Sequence, residues 1–263
     1  MTPKRKSQQG IQSIEVGSRL LSALAAVRQP QMLRDLAQEA GMPAAKAHRY
    51  LVSLGRMGLV KQDGETGLYD LGPFALELGL SALARLDPVS IAGASLLELS
   101  RETGQTVALA VWANHGPTIV RWLGADTPVA AGMRVGLVVP LTRSATGAAF
   151  VAFTPRQATL TAVNRELTDN RRKGLAPATR RELDAFLERT RQRGFAYTMD
   201  FIPGIGGVAA PVFDHSGAMA LALVALGYSK PFEADLARIA SAVLRTAAAV
   251  SERLGAKALD AAG

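Results

Sequence analysis

The chain has 263 residues, enough for one large domain or two of ordinary size. Hydrophobic residues make up 48% and charged residues 20%, so real cores can form; the absence of cysteine excludes disulfides, thiolate metal ligands and a cysteine nucleophile. No run of about 18 apolar residues offers a membrane span, and the basic opening MTPKRKSQQG lacks the apolar stretch and cleavage site of a signal peptide, so a cytoplasmic protein is expected.

The net charge of +8 is unevenly placed. Residues 1–62 carry ten Lys and Arg against Glu15, Asp35 and Glu39, a balance of +7, whereas residues 63–263 carry twenty basic and nineteen acidic residues. A clustered positive field attracts phosphate backbones. A basic tail kept for solubility is the competing reading, but Lys4, Arg5 and Lys6 alone do not account for the excess.

Within that basic region Ile14–Val27 reads as a helix, with Ile14, Leu20, Leu21, Leu24 and Val27 along one side. Leu33–Val60 reads as two helices joined by a tight turn. Leu33, Leu36 and Ala37 give the first an apolar face, Gly41 supplies the turn, and Pro43 suits the first position of the second helix. There Ala47, Leu51 and Leu54 face a core, while Ala45, His48, Arg49, Val52 and Arg56, flanked by Lys46, face outward. A helix-turn-helix has this construction, and its second helix can enter the DNA major groove; a helical hairpin with a solvated basic face is the plainer alternative. The following KQDGETGLYDLG predicts a short β-hairpin with a glycine-rich tip, which makes the unit a winged helix-turn-helix. Lys61, Gln62, Thr66 and Tyr69 are then candidate DNA-backbone contacts.

Phe74–Leu86 carries leucines nearly all round the cylinder, and a helix apolar on every side must be buried. It is read as a linker helix in a dimer interface, ended by Asp87-Pro88. Beyond it, Val89, Ala92, Leu96 and Leu99 mark one amphipathic helix closed by Gly104. Strands are predicted at Thr106–Trp112, Thr118–Leu123 and near Pro128–Val135. Ser144 caps a helix through Phe153, Pro155 starts another, and Thr179-Arg180-Arg181-Glu182 is a capping box for a third. Phe195–Asp200, Gly206–Phe213 and Ala218–Leu226 follow as strands, and Pro231–Leu254 as one long helix. Interspersed elements with hairpin-length links argue for an antiparallel or mixed α+β sheet over a doubly wound one.

Catalytic signatures are missing. The histidines, His48, His115 and His215, have no metal-ligand spacing, and there is neither GxSxG nor a P-loop. No catalytic residue, metal ligand or cofactor is assigned, and Gly204–Gly207 is read as close backbone packing.

Five segments carry a resemblance: IQSIEVGSRLLSAL, AHRYLVSLGRMGLV, GLYDLG, VPLTRSATGAAFVAF and GIGGVAAPVFDHSG. In this order they resemble the IclR family of bacterial transcriptional regulators over essentially the full chain. The resemblance implies a winged helix-turn-helix (1–71), a linker helix (72–87) and a GAF-like effector-binding domain (88–263). It also implies homodimers, often paired as tetramers on double-stranded DNA, and control by a small organic effector. On the recognition helix it points to Ala44, Ala45, Lys46, His48 and Arg49. The effector set it implies is Met133, Arg143, Ser144, Ala145, Thr146, Gly147, Asp200, Gly207, Ala209, Val224 and Leu226. Ala148 stands where the family commonly has lysine. Apolar groups at Val224 and Leu226, beside a helix start suited to an anion, make an aromatic or largely apolar carboxylic acid the expected effector and aromatic catabolism the expected setting. A metabolic enzyme or ligand-binding module with a helical N-terminal extension is the alternative.

Overall fold

The structure is a computed structural model. It describes residues 10–27, 29–125 and 134–256, and of Asp200 the backbone only. The chain forms two compact units, Met1–Leu86 and Asp87–Gly263.

The first unit contains α1 (Gln12–Ala26), α2 (Leu33–Glu39), α3 (Ala44–Arg56), strands β1 (Val60–Gln62) and β2 (Tyr69–Leu71), and α4 (Pro73–Leu83). Its core gathers Leu20 and Leu24 from α1, Leu36 and Ala37 from α2, and Ala47, Leu51 and Leu54 from α3. Gly41 turns the chain between α2 and α3 with φ of +63°. Pro43 lies one position earlier than expected, as the extended N-cap of α3, where a proline costs the helix no donor. Ile14 and Val27 do not join the α1 stripe; Ile14 is 67% exposed, because the core stripe runs through Gly17, Leu20, Ala23 and Leu24 instead. The wing strands pair antiparallel, Val60 with Leu71 and Gln62 with Tyr69, and Gln31 adds a bridge to Tyr69.

The start of α4 is set against the end of the recognition helix. Gly72 donates to the Leu59 carbonyl at 2.9 Å and Phe74 to that of Gly58 at 3.0 Å. A Cβ on Gly72 would run into the Gly58 carbonyl oxygen, so only glycine permits this approach. No residue of α4 is buried within the chain, and Phe74, Leu76, Leu78 and Leu80 are all exposed.

The second unit opens with α5 (Pro88–Gly93) and α6 (Leu96–Thr103), followed by β3 (Thr106–Ala113) and β4 (Gly116–Leu123). Then come α7 (Ala145–Phe153), α8 (Arg156–Arg172), α9 (Arg180–Arg193), β5 (Ala196–Ile202), β6 (Ile205–Phe213), β7 (Met219–Tyr228), α10 (Ser229–Ala234) and α11 (Leu236–Arg253). The five strands form one antiparallel sheet in the order β4-β3-β7-β6-β5. The two-residue period of a strand sends alternate side chains to opposite faces. Val107, Leu109, Leu221, Leu223 and Ala225 meet α5, α6 and α11 on one face. Ala108, Ala110, Ala209, Ala222 and Val224 meet α7 on the other. That second face is paved with alanine, and α7 answers with Gly147, Ala148, Ala149 and Ala152, so helix and sheet approach closely; Ala145 to Ala152 are all buried.

Two expected helices are each broken in two. The Val89–Leu99 helix stops at Gly93 and restarts at Leu96, with no side-chain cap at Ser95. The Pro231–Leu254 helix breaks at Asp235. This break lets α10 lay Phe232 flat over Gly206 and Gly227, where added Cβ atoms would come within 2.9 Å of its ring. Most of the expected strand at 128–135 lies outside the described residues. Arg134 and Val135 are not in a strand, and residues 136–139 run beside β4 through the Thr118–Val138 bridge and backbone hydrogen bonds to Pro117 and Ile119. The capping box at Thr179 and Glu182 forms as expected. No single helix among the described residues is long and apolar enough to cross a membrane.

A candidate DNA interface and a candidate effector cavity

Burying Ala47, Leu51 and Leu54 leaves Ala44, Ala45, Lys46, His48, Arg49, Val52 and Arg56 on the exposed side of α3. Neither Lys46 nor Arg49 has an acidic partner among the described residues. Two uncommitted cations on a helix face cost little to bring against phosphates, because no ion pair must break first.

The wing residues are mostly occupied with the wing itself. Asp63 Oδ1 accepts from the backbone N–H of Thr66 (2.7 Å), the Thr66 hydroxyl (2.8 Å) and the N–H of Glu65 (3.1 Å). The Thr66 backbone and hydroxyl donors, then the Glu65 N–H, hold the Asp63 carboxyl below its ordinary pKa. Gln62 Nε2 donates to the Gly67 carbonyl at 3.1 Å, and Lys61 pairs with Asp70 at 3.5 Å. Tyr69 is a correction to the expected wing contacts. It is buried in the core of the first unit, with its hydroxyl 3.4 Å from His48 Nδ1.

The second unit holds a cavity where α7 begins. Its apolar walls are Ile119, Val139, Ile202, Ile205, Val224 and Leu226; Gly206 and Gly207 form the floor, Phe201 closes one side, and Ser144, Ala145, Thr146 and Thr198 add polar groups. Ser144 Oγ donates to the Pro140 carbonyl (2.6 Å) and accepts from Gly147 N–H (2.9 Å), so its hydroxyl is committed to building the turn. The N–H groups of Ala145 and Thr146 open the helix and have no intrahelical acceptor. The Thr146 side chain, 5% exposed, makes no hydrogen bond among the described residues, and neither does that of Thr198. Donors without a partner among the described residues thus line an otherwise apolar space.

The turn that presents these donors is held from behind. Glu166 on α8 accepts from the N–H of Leu141 (2.8 Å), the N–H of Thr142 (2.8 Å) and the Thr142 hydroxyl (2.6 Å). Asn170, one turn on, donates to Thr142 Oγ1 and to the Pro177 carbonyl, both at 2.9 Å.

Known proteins match both units. Residues 13–64 fit the family description IclR helix-turn-helix domain. Residues 80–252 fit the description bacterial transcriptional regulator IclR C-terminal. The chain belongs to the IclR family. The glycerol operon regulatory protein of Streptomyces griseus is 32% identical over 259 residues, covering 94% of this chain and 97% of that one. The transcriptional repressor IclR of Escherichia coli K12 is 29% identical over 213 residues, 78% of this chain and 75% of its own. Among solved structures, Pseudomonas aeruginosa HmgR superposes with a TM-score of 0.84 at 37% identity, covering 94% of this chain and all of the other. The Agobacterium tumefaciens repressor BlcR shares the fold, with a TM-score of 0.77 at 21% identity over 94% of this chain and 99% of its own. These relatives are regulators, not enzymes, and an IclR-type helix-turn-helix carries DNA binding with it.

Against the effector residues expected from the IclR pattern, Ser144, Ala145, Thr146, Gly207, Val224 and Leu226 line the cavity. Gly147 does not: its Cα packs on the Pro140 carbonyl, leaving no room for any side chain. Ala209 lies deeper, under α7 in the core. Arg143 faces a neighbouring groove with Thr142, Pro177 and Phe186. Met133 and the Asp200 side chain lie outside the described residues. Reasoning from sequence missed Thr198, Phe201, Glu166 and Asn170. Asn170 could have been found, because it continues the buried line Thr159, Val163, Leu167 of α8, where a polar residue needs a partner.

Proposed function

We propose that this IclR-family regulator binds its operator through Lys46, His48 and Arg49 of α3 and through the wing, and that a small, largely apolar carboxylic acid controls that binding. An aromatic acid, hence a role in aromatic-compound catabolism, is the preferred form. Residues 1–71 act as the DNA-binding domain, 72–87 as the linker and 88–263 as the effector-binding domain. The linker's apolar surface is covered in a homodimer, which pairs again on DNA. What supports the effector reading is the convergence of the Ala145 and Thr146 N–H groups with the Thr146 and Thr198 hydroxyls inside apolar walls. A carboxylate satisfies those donors, and an apolar body satisfies Val224, Leu226 and Ile119.

The experiment is calorimetry of benzoate, phenylacetate and pyruvate against the wild type and Val224→Ser, with and without operator DNA. Benzoate or phenylacetate binds the wild type best, with a negative heat-capacity change. Val224→Ser weakens either by about tenfold, the effect of setting one hydroxyl against a buried ring, and weakens pyruvate less. Operator must shift the affinity, since a ligand that binds both states equally regulates nothing. Tighter wild-type binding of pyruvate defeats the apolar reading. In parallel, Lys46→Ala and Arg49→Ala weaken operator binding and flatten its salt dependence; wild-type affinity and slope in both variants would remove α3 as the reading element.

A further inference from the structure

The cavity at the start of α7 is small and partly open to solvent. Its volume is about 30 Å³, whereas a cavity that holds benzene measures about 150 Å³. A ring therefore does not fit unless a wall moves. Most walls cannot: Val224, Ile119 and Val139 are buried in the packed core under α7, and Gly207 is pinned in the sheet. Phe201 differs in three ways. It is only half-buried. It sits where the β5–β6 ladder is interrupted, since regular pairing ends at Met199 with Gly206 and resumes at Ile202 with Ile205. And its other side faces open space, a groove of about 310 Å³ shared with Arg143, Pro177 and Phe186. Phe201 and Thr198 line both spaces. The Arg143 guanidinium lies over the Phe201 ring, 5.7 Å from its centroid, and has no ion pair among the described residues.

Resting on the reading of this cavity as an acid-binding site, we infer that Phe201 is the specificity-determining partition of the effector site. A ring-bearing acid enters by turning Phe201 off Arg143 into the groove, which the displaced ring then fills. The carboxylate stays with the Ala145 and Thr146 N–H groups, and the ring takes the place of Phe201 against Leu226 and Ile205. Phe201 then sets the upper size of the ligand: one ring can replace one ring, and two fused rings cannot.

The test measures benzoate and 2-naphthoate binding by calorimetry, with association rates by stopped flow, to the wild type, Phe201→Ala and Phe201→Leu. Since Phe201 is half-exposed, both variants fold, which thermal melts verify. Expected are at least a tenfold gain in 2-naphthoate affinity in Phe201→Ala, a smaller gain in Phe201→Leu, and faster benzoate association in both. If both acids bind wild type and variants with equal affinity and rate, the partition is refuted while the acid-binding reading stands. If neither acid binds the wild type but 2-naphthoate binds Phe201→Ala, the partition stands and the aromatic-acid effector falls. If no acid binds any of the three proteins, both fall.

Discussion

Glu166→Ala should damage the second unit while leaving every apolar core residue in place. One carboxylate accepts three hydrogen bonds, at 2.8, 2.8 and 2.6 Å, from a loop whose residues Leu141 and Thr142 are buried. Removing the acceptor leaves two backbone N–H groups and a hydroxyl without their partner. Each buried donor so abandoned costs about 1–3 kcal/mol, but the three share one acceptor and do not add, and water reaches part of a half-buried site, so the expected loss is about 2–4 kcal/mol. Asn170 still holds the Thr142 hydroxyl from α8, which keeps the loss from being larger. Both tryptophans, Trp112 on β3 and Trp122 on β4, lie in this unit, so their fluorescence during urea unfolding follows it alone. Glu166→Gln keeps one accepting oxygen but points an amide NH2 at a backbone donor, and should recover less than half of the loss. A loss under about 1 kcal/mol for the alanine variant, or wild-type stability for the glutamine variant, would refute the view that this carboxylate holds the effector turn.

Leu80→Glu on α4 should leave the unfolding of each unit unchanged, because Leu80 is 57% exposed within the chain, yet shift sedimentation toward a smaller species by burying an unpaired carboxylate between subunits; an unchanged distribution means that α4 is not the interface. The wing should loosen in acid. Asp63 is held below its ordinary value of 3.8 by donors that bond the ionised form, so its contribution is complete above that value and is lost as pH falls through the lower folded value. Exchange protection of the Glu65 and Thr66 amides, followed by NMR, should drop below pH 3.8 and be low at every pH in Asp63→Ala; a step at higher pH, or protection that the alanine variant retains, would contradict this account of the turn.

Local chemistry made much of this fold readable in advance. Gly104 and Gly194 close helices, the Thr179–Glu182 capping box opens one, and the continuous apolar run of β7 marks a strand covered on both faces. What could not be read depended on partners distant in sequence. Tyr69 looks like an exposed wing residue until the first unit's core closes over it, and nothing near Leu141 and Thr142 in sequence announces the Glu166 carboxylate that accepts from both. The breaks at Ser95 and Asp235 interrupt apolar stripes that continue across them, so periodicity gives no warning. In the effector cavity the periodic positions Val224 and Leu226 were visible. Phe201 was not, because it lies in a ladder irregularity that obeys neither period.

The contact at Gly72 has a mechanical meaning. With no side chain to act as a spacer, the first turn of α4 and the peptide after the recognition helix are bonded as one piece, through Gly72 and Phe74 to Leu59 and Gly58. The 11 residues of α4 make a stiff rod about 16 Å long. Torque applied at the far end of that rod cannot be absorbed at this joint; it swings the reading helix bodily, like a key turned by its shank. Such a linkage leaves the surface of α3 unaltered; in the proposed homodimer it would act on where two reading helices point and how far apart they stand. A signal sent this way would change which operator spacing such a dimer accepts and leave each half-site equally legible.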